Sequence, residues 1–510
     1  MTVVTSVENL RLKFPGSNSL LFRDFSLSVQ KGEKVLIVGP SGSGKSTLLQ
    51  VLTGLIPDSI EVPIKTDNVT TPSSWGFLFQ DPDTQFCMPY VDEELAFVLE
   101  NLQIPREQME ERIKANLDQV GLSFEDIHTS IQTLSGGMKQ RLAIASVLAL
   151  QPEVLFLDEP TALLDPEGTD EVWKTIKHIG EDKTLIIVEH NIEKIVDFVD
   201  RVILLNEHGK LIADGTKDYI FKYYTDTLRE HGIWYPGVWD DYLANSSLKQ
   251  TYHEEKDSHQ ERICLSEFTG FRRKEKKIEV RKADIHSKEW IAIIGENGAG
   301  KSTLLHALMK LIKTKGLYKI NGQQYNKVDE VTKHLSFVFQ NPEFQFISNS
   351  VYDEITYSLS QENWNQKEID KRVEECLDVY NLSKVKTNHP YQLSLGQKRR
   401  LSVASAMVRQ QPFLLLDEPT FGQDARNTFD ILEQLEAIRL QGSTILMVTH
   451  DMKIVENFAT RVWEIREGKL VEDCTPNEWI KRSANSLKIT DEGRSNDNGV
   501  KLSSNLVTQN

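Results

Sequence analysis

A nine-residue glycine-rich run occurs twice in this chain, and the repeat dictates its architecture. GPSGSGKST at Gly39–Thr47 returns as GENGAGKST at Gly295–Thr303. Other landmarks return in the same order. FQDPDTQF at Phe79–Phe86 reappears as FQNPEFQF at Phe339–Phe346, and LSGGMKQR at Leu134–Arg141 as LSLGQKRR at Leu393–Arg400. LFLDEPT at Leu155–Thr161 reappears as LLLDEPT at Leu414–Thr420, and IIVEH ending at His190 as LMVTH ending at His450. Lys45 and Lys301 lie 256 positions apart, Gln80 and Gln340 260, Ser135 and Ser394 259, Asp158 and Asp417 259, and His190 and His450 260. One nearly constant shift over five landmarks means duplication of a whole domain, and it excludes arrays of short repeats of about 20–50 residues. At about 150 residues per domain, 510 residues would suggest three domains; the repeat reads them as two large ones.

The expected division is a first domain over 1–225, a linker over 226–261, a second domain over 262–482 and a polar tail over 483–510. DEGRSNDNG at Asp491–Gly499 is the kind of composition that stays disordered. TYHEEKDSHQER at Thr251–Arg262 reads as solvated connection. GIWYPGVW at Gly232–Trp239 is too aromatic for a free linker and is expected to pack on the first domain. RRKEKK at Arg272–Lys277 reads as a solvated strand or hairpin face.

Within a copy, KVLIVG (Lys34–Gly39) has the form of a buried parallel strand, and STLLQVLTGL (Ser46–Leu55) carries apolar residues at helical spacing. Strand, glycine-rich loop and helix together make GxxxxGK[ST] a phosphate-binding signal. The loop residues Gly39, Pro40, Ser41, Gly42, Ser43, Gly44, Lys45, Ser46 and Thr47 are expected to wrap a nucleotide's phosphates. Backbone N–H groups and the helix N-terminus supply the anion site. Lys45 would reach the β- and γ-phosphates, and the Ser46 hydroxyl would ligate Mg²⁺. WIAIIG (Trp290–Gly295) and STLLHALMKLI (Ser302–Ile312) repeat the pattern. The second loop is Gly295, Glu296, Asn297, Gly298, Ala299, Gly300, Lys301, Ser302 and Thr303.

FLDEP and LLDEP put paired acids at the ends of apolar strands. Asp158 and Asp417 suit Mg²⁺ binding, and Glu159 and Glu418 are placed to deprotonate an attacking water. His190 and His450, ending further apolar strands, read as γ-phosphate contacts.

Composition limits the setting in which this chemistry runs. Lys+Arg total 59 against 75 Asp+Glu, a formal net charge of −16, so general electrostatics give no help with a phosphate backbone. The cysteines Cys87, Cys264, Cys376 and Cys474 form no CxxC pair, against a disulfide framework or zinc ribbon and in keeping with a reducing compartment. No apolar run approaches the ~18 residues of a membrane span, and the N-terminus lacks a signal-peptide pattern. A cytoplasmic protein is expected, reaching any membrane through partners.

LSGGM and LSLGQ, each preceding the DEP strand, resemble the signature of the nucleotide-binding domains of ATP-binding-cassette (ABC) proteins. The resemblance spans about 440 residues. It implies an α/β fold of two tandem P-loop NTPase domains, each with a RecA-like core and a helical signature subdomain. It further implies two composite ATP sites closed by the opposing signature. One would join Lys45, Ser46, Gln80, Asp158, Glu159 and His190 to Ser394 and Gly396. The other would join Lys301, Ser302, Gln340, Asp417, Glu418 and His450 to Ser135, Gly136 and Gly137. Gln80 and Gln340 are expected to serve both the metal and catalysis, and Phe14 to stack on adenine. The second copy offers only Phe268 or Phe271 for that role. Leu395 stands where the signature has glycine, and its Cβ is expected to crowd phosphate and slow the Ser394 site.

The doubled Gln-[Asp/Asn]-Pro-x-x-Gln-Phe segment resembles the energy-coupling-factor ATPases of bacterial vitamin and transition-metal importers. VDEELAFVLEN at Val91–Asn101 and VYDEITYSL at Val351–Leu359 look like the segment that follows it there. That resemblance implies ATP and Mg²⁺ as ligands, and hydrolysis coupled to transport from the cytoplasmic face of the membrane. It implies as partners a separate transmembrane scaffold (T) protein and a substrate-binding membrane (S) protein, with no nucleic acid. Thiamine or its hydroxymethylpyrimidine precursor is the best guess for substrate, with cobalt or nickel as other possibilities. The alternatives are a ribosome-associated tandem cassette factor and a sugar-importer ATPase. The acidic charge and short linker disfavour the first, and the doubled segment disfavours the second.

Overall fold

The computed structural model describes residues 2–16, 19–40, 42–162, 164–245, 262–359 and 364–482, less the side chain of Leu395. The expectations for Ser41, for 251–261 and for the tail over 483–510 fall outside the described residues. The chain divides into two compact units, Met1–Tyr252 with Gly422–Phe429, and His253–Phe421 with Asp430–Asn510.

The first unit contains strands β1 (Val3–Leu12), β2 (Phe22–Gln30), β3 (Lys34–Val38), β4 (Ile64–Lys65), β5 (Asn68–Thr70), β6 (Trp75–Leu78), β7 (Val154–Asp158), β8 (Thr184–Val188), β9 (Arg201–Leu205) and β10 (Leu211–Thr216). A small antiparallel sheet joins β2, β1, β4 and β5, and a second sheet runs in the order β10-β9-β3-β8-β7-β6. Strands β9, β3, β8, β7 and β6 are parallel. The sequence explains this, since VLFLD of β7 and TLIIV of β8 are buried at every position, as strands covered on both faces must be. The core gathers Val35, Ile37, Phe156, Ile186 and Val188 from the sheet and Leu48, Leu49 and Leu52 from the helix Lys45–Thr53. The Thr5 hydroxyl donates to the Leu52 carbonyl at 2.8 Å, fixing that helix to the antiparallel sheet.

The second unit repeats this plan. Its strands are β11 (Arg262–Arg272), β12 (Glu275–His286), β13 (Trp290–Ile294), β14 (Lys313–Ile320), β15 (Gln323–Gln324), β16 (Leu335–Val338), β17 (Phe413–Asp417), β18 (Thr444–Val448), β19 (Arg461–Arg466) and β20 (Lys469–Cys474). Here one sheet runs β15-β14-β11-β12-β20-β19-β13-β18-β17-β16, because Glu279 of β12 pairs with Lys469 of β20. An ion network recurs as well: Arg201 bridges Glu33 and Asp214, and Arg461 bridges Glu289 and Asp473. RRKEKK lies at the β11–β12 hairpin, as its charge pattern suggests.

Each unit adds a helical layer. In the first, Val91–Asn101 and Arg106–Gln119 pack on Gly136–Ala149 through Val91, Leu95, Leu99, Ile113 and Leu117. In the second, Val351–Leu359, Gln366–Val379 and Leu395–Met407 are the counterparts. Much of the stretch read as linker is folded, as helices Thr225–Glu230 and Val238–Asn245. The aromatic segment, expected to pack on residues 1–225, instead closes round Phe429 of the Gly422–Phe429 stretch, which reads from the sequence as second domain but belongs to the first compact unit, with the Tyr242 ring stacked 3.9 Å from it and Trp239 edge-on at 5.0 Å. The Trp234 indole N–H donates to the Gln423 carbonyl at 3.0 Å. Among the described residues no helix is long and apolar enough to cross a membrane.

Phe156 is fully buried at the centre of β7, with its ring edge-on to Trp75. Phe156→Ala is expected to cost roughly 3–5 kcal/mol. Urea unfolding followed by far-UV circular dichroism should show the first transition shifted to lower denaturant.

Candidate functional site

Four adjacent strands, β3, β8, β7 and β6, deliver the predicted residues from their C-terminal ends. β3 feeds the loop to Lys45, β7 ends at Asp158 and Glu159, β8 leads to His190, and β6 leads to Gln80. β13, β18, β17 and β16 deliver Lys301, His450, Asp417 with Glu418, and Gln340 in the same order. Strand ends of an open parallel sheet are where ligands bind. The constellation follows from strand order, since the residues are far apart in the chain.

In the first loop Gly42 and Gly44 have φ of 82° and 93°, a left-handed conformation that aims successive N–H groups inward; Gly298 and Gly300 do so at 75° and 107°. The Lys45 ammonium donates to the Gly39 and Pro40 carbonyls at 2.8 and 3.0 Å, and Lys301 to those of Gly295 and Glu296 at 2.7 and 3.0 Å. Burial pushes the Lys45 ammonium down, opposed by the charges of Glu159 and Asp158. The Ser43 hydroxyl is buried with no partner among the described residues, as suits a loop built round an anion.

Ser46 Oγ donates to Asp158 Oδ1 at 2.9 Å, and Ser302 Oγ to Asp417 Oδ1 at 3.1 Å. Hydroxyl and carboxylate oxygens side by side are the hard donor set a magnesium ion takes. Burial pushes both carboxyls up to about 6, with the serine hydrogen bond pulling the other way.

Glu159 and Glu418 both adopt left-handed backbone, φ 48° and 51°. The same left-handed turn after the strand thus recurs at matched positions of both units. Each amide is anchored on the histidine strand, Glu159 N–H to the Val188 carbonyl at 2.8 Å and Glu418 N–H to Val448 at 3.1 Å. Glu159 Oε1 lies 3.0 Å from His190 Nε2, and Glu159 Oε2 accepts from Gln80 Nε2 at 2.7 Å. Burial raises the Glu159 carboxyl, but His190 and Lys45 outweigh it, so the group stays ionised at neutral pH. His450 Nε2 lies 3.4 Å from Glu418. Gln340 is exposed and makes no bond to Glu418 among the described residues, so the second site lacks the glutamine contact of the first.

The signature serines cap their helices. Ser135 Oγ accepts from Met138 N–H at 3.3 Å and Ser394 Oγ from Gln397 N–H at 3.4 Å. Gly136 is exposed, Gly396 half-buried and Gly137 buried. A Cβ on Gly137 would meet the Gly168 backbone at 3.0 Å, so this glycine has a packing reason inside its own unit. Phe14 is 40% exposed, accessible for stacking. Phe268 is fully buried in the second core and cannot stack on a base; Phe271, under the Lys315 ammonium, is only partly covered.

The Gln-Pro segments are tied to the signature helices. Lys139 pairs with Asp83 at 2.7 Å and Lys398 with Glu343 at 2.5 Å. Gln345 also donates to the Ser402 carbonyl at 2.9 Å and to the Ser405 hydroxyl at 2.7 Å. Two features escaped the motif reading. Where the first signature helix has Gln140, the second has the buried Arg399, which donates to the Phe339 carbonyl at 3.0 Å and is pushed down to about 10 by burial against the pull of Glu418 and Asp417. The buried Glu189 beside His190 is Thr449 in the second unit. Comparing the two copies position by position flags both.

A P-loop, a serine–aspartate pair and a histidine-backed glutamate at adjacent strand ends, twice over, define a tandem P-loop ATPase. The family profile described as "ABC transporter" matches residues 22–162 and 279–421. The chain belongs to that family as an ATP-hydrolysing, ATP-binding chain. A Bacillus subtilis (strain 168) protein provisionally named for HMP/thiamine import ATP binding, YkoD, is 36% identical over 508 residues, covering 92% of this chain and 91% of its own. A Saccharolobus solfataricus protein provisionally named an ABC transporter ATP-binding protein is 35% identical, covering 94% of this chain and 95% of its own. Archaeal ribosome recycling factor aABCE1, solved with ribosomal stalk protein aP1, superposes with a TM-score of 0.62 at 21% identity, covering 93% of this chain and 92% of that one. At that identity the likeness is one of fold.

A magnesium ion held by these pairs would require the aspartates ionised, so half-saturating Mg²⁺ for the ATP-bound chain should then rise about tenfold between pH 7 and pH 5. Titration at each pH checks this; a flat profile would show that the aspartates do not bind the metal.

Proposed function

We propose that the chain is the energy-coupling ATPase of an energy-coupling-factor importer, powering uptake of a vitamin or precursor such as thiamine or hydroxymethylpyrimidine. The observation that carries this reading is the doubled Gln-[Asp/Asn]-Pro-x-x-Gln-Phe segment. In each unit it begins with the site glutamine, two residues past the end of its strand, and a lysine–carboxylate pair ties it to the signature helix. A push on that segment is thereby passed to both the site and the signature. The surfaces it offers are accessible, with Phe344 76% and Ile347 63% exposed in the second unit and Thr84 and Cys87 exposed in the first. The name of the Bacillus subtilis relative points to the same class of substrate. The partners would be a transmembrane scaffold protein and a membrane substrate-binding protein, with this chain on the cytoplasmic face.

Each ATP would be held by one unit's P-loop and closed by the other unit's signature: Ser394 and Gly396 over the first loop, Ser135, Gly136 and Gly137 over the second. Ser46 with Asp158, and Ser302 with Asp417, would hold Mg²⁺, which supplies charge neutralisation on the phosphates. Gln80 and Gln340 would assist there. Glu159 and Glu418 would orient and deprotonate the attacking water, and His190 and His450 would contact the γ-phosphate.

Affinity purification of the tagged chain from its own membranes should bring down two integral membrane proteins; recovery with ribosomes instead would overturn the reading. With Leu395 slowing the first site, Glu418→Gln should remove most ATPase activity and Glu159→Gln much less. Equal losses would discard that asymmetry.

A further inference from the structure

Asp158–Thr161 and Asp417–Thr420 match residue for residue, but the two units differ at the residue before the histidine. In the first unit this is Glu189, whose side chain is buried. Its Oε2 accepts from the Thr161 hydroxyl at 2.7 Å, and its Oε1 accepts from the amides of His190 at 2.8 Å and Asn191 at 3.3 Å. Thr161 stands two residues after Glu159. The carboxylate therefore fastens the histidine loop to the turn that carries the catalytic glutamate. In the second unit the Thr449 hydroxyl accepts from the Asp451 amide at 3.1 Å and, among the described residues, spans no such gap.

We propose that Glu189 is a positioning residue peculiar to the first ATP site, a latch between the Glu159 turn and the His190 loop whose charge state sets that site's affinity for ATP. The charged groups that face it are Glu159, from the turn after β7, and His190, on its own loop. Burial, reinforced by the charge of Glu159, pushes the Glu189 carboxyl up to about 7, while Thr161 and His190 hold it lower than burial alone would. Below neutrality the latch is a neutral acid. Above it, a second carboxylate charge stands behind the Glu159–His190 pair and repels the γ-phosphate those residues receive. Thr449 carries no charge at any pH, so the second site lacks this response.

The test uses the full chain with the second site silenced by Glu418→Gln, and measures KM and kcat for ATP from pH 6 to pH 8. The informative quantity is the ratio of KM with Glu189 to KM with Glu189→Gln, an isosteric copy of the neutral acid, because pH effects common to both chains cancel in it. That ratio should be near one at pH 6 and rise roughly three- to tenfold by pH 8, with kcat changing less. A ratio independent of pH overturns the proposal. In the reciprocal background, Glu159→Gln, the change Thr449→Glu should introduce a pH-dependent KM into the second site. Thermal unfolding supplies a readout free of turnover. A carboxyl raised on folding keeps its proton where the unfolded chain has lost it, so its contribution to stability falls as pH rises from about 4.5 to about 7. The midpoint of Glu189→Gln should therefore gain on the parent between pH 5 and pH 8, and a constant difference would count against a buried titrating latch.

Discussion

The hydrogen bond from the Glu159 amide to the Val188 carbonyl, repeated between Glu418 and Val448, holds the rest of each site in place. It joins the turn after one strand to the end of its neighbour. The glutamate must enter left-handed backbone to make it, a conformation that costs a non-glycine residue of order 1–3 kcal/mol. The sheet sustains that strain because the strands on either side are buried on both faces and cannot shift singly. With the acid turn fixed to the histidine strand, the side chains of Glu159 and His190 meet at 3.0 Å without a long search. The P-loop is the next strand over, so its lysine and serine come with the same frame.

Charges gathered at such an edge must balance, since an unpaired buried ion costs several kcal/mol. Lys45 is neutralised by the two acids that follow β7 and satisfied by two loop carbonyls. Asp158 keeps a serine donor and is pushed towards protonation, whereas Glu159 keeps a histidine and a glutamine and stays ionised. Neighbouring carboxyls thus take opposite roles through their surroundings alone. One is raised towards protonation, and the other stays ionised.

How much of this could be read from the chain varies with the range of the interaction concerned. The P-loops, the acid pairs and the histidines were legible because each is local: strand, turn and ligand group lie within a few residues. The duplication then turned single motifs into a matched pair. Phe268 shows the limit. An aromatic near the right offset suggested base stacking, but alternation along β11 turns it into the core, facing Tyr318 at 5.6 Å. Gly137 carried a phosphate role by resemblance, yet the close approach of Gly168 is what its missing side chain serves within the unit. Glu189 gave no signal in the sequence because its partner Thr161 lies 28 positions away, and burial of a carboxylate cannot be judged without that partner.

Fusion of the copies explains why such differences could accumulate. Two identical chains must use one sequence for both halves, whereas a fused pair can diverge wherever the scaffold tolerates it. The parallel strands and the acid turns have not diverged, because altering them would move every group at the edge together. The loops have. Thr84 and Cys87 are the sequence equivalents of Phe344 and Ile347, all four exposed. Covering a phenylalanine and an isoleucine gains roughly 1.5–3 kcal/mol each, more than a threonine or a cysteine returns. A partner presenting the same segment to both units would therefore bind them unequally. The strand-end framework is common to both halves, while the groups behind it and the exposed loops beside it belong to each half separately.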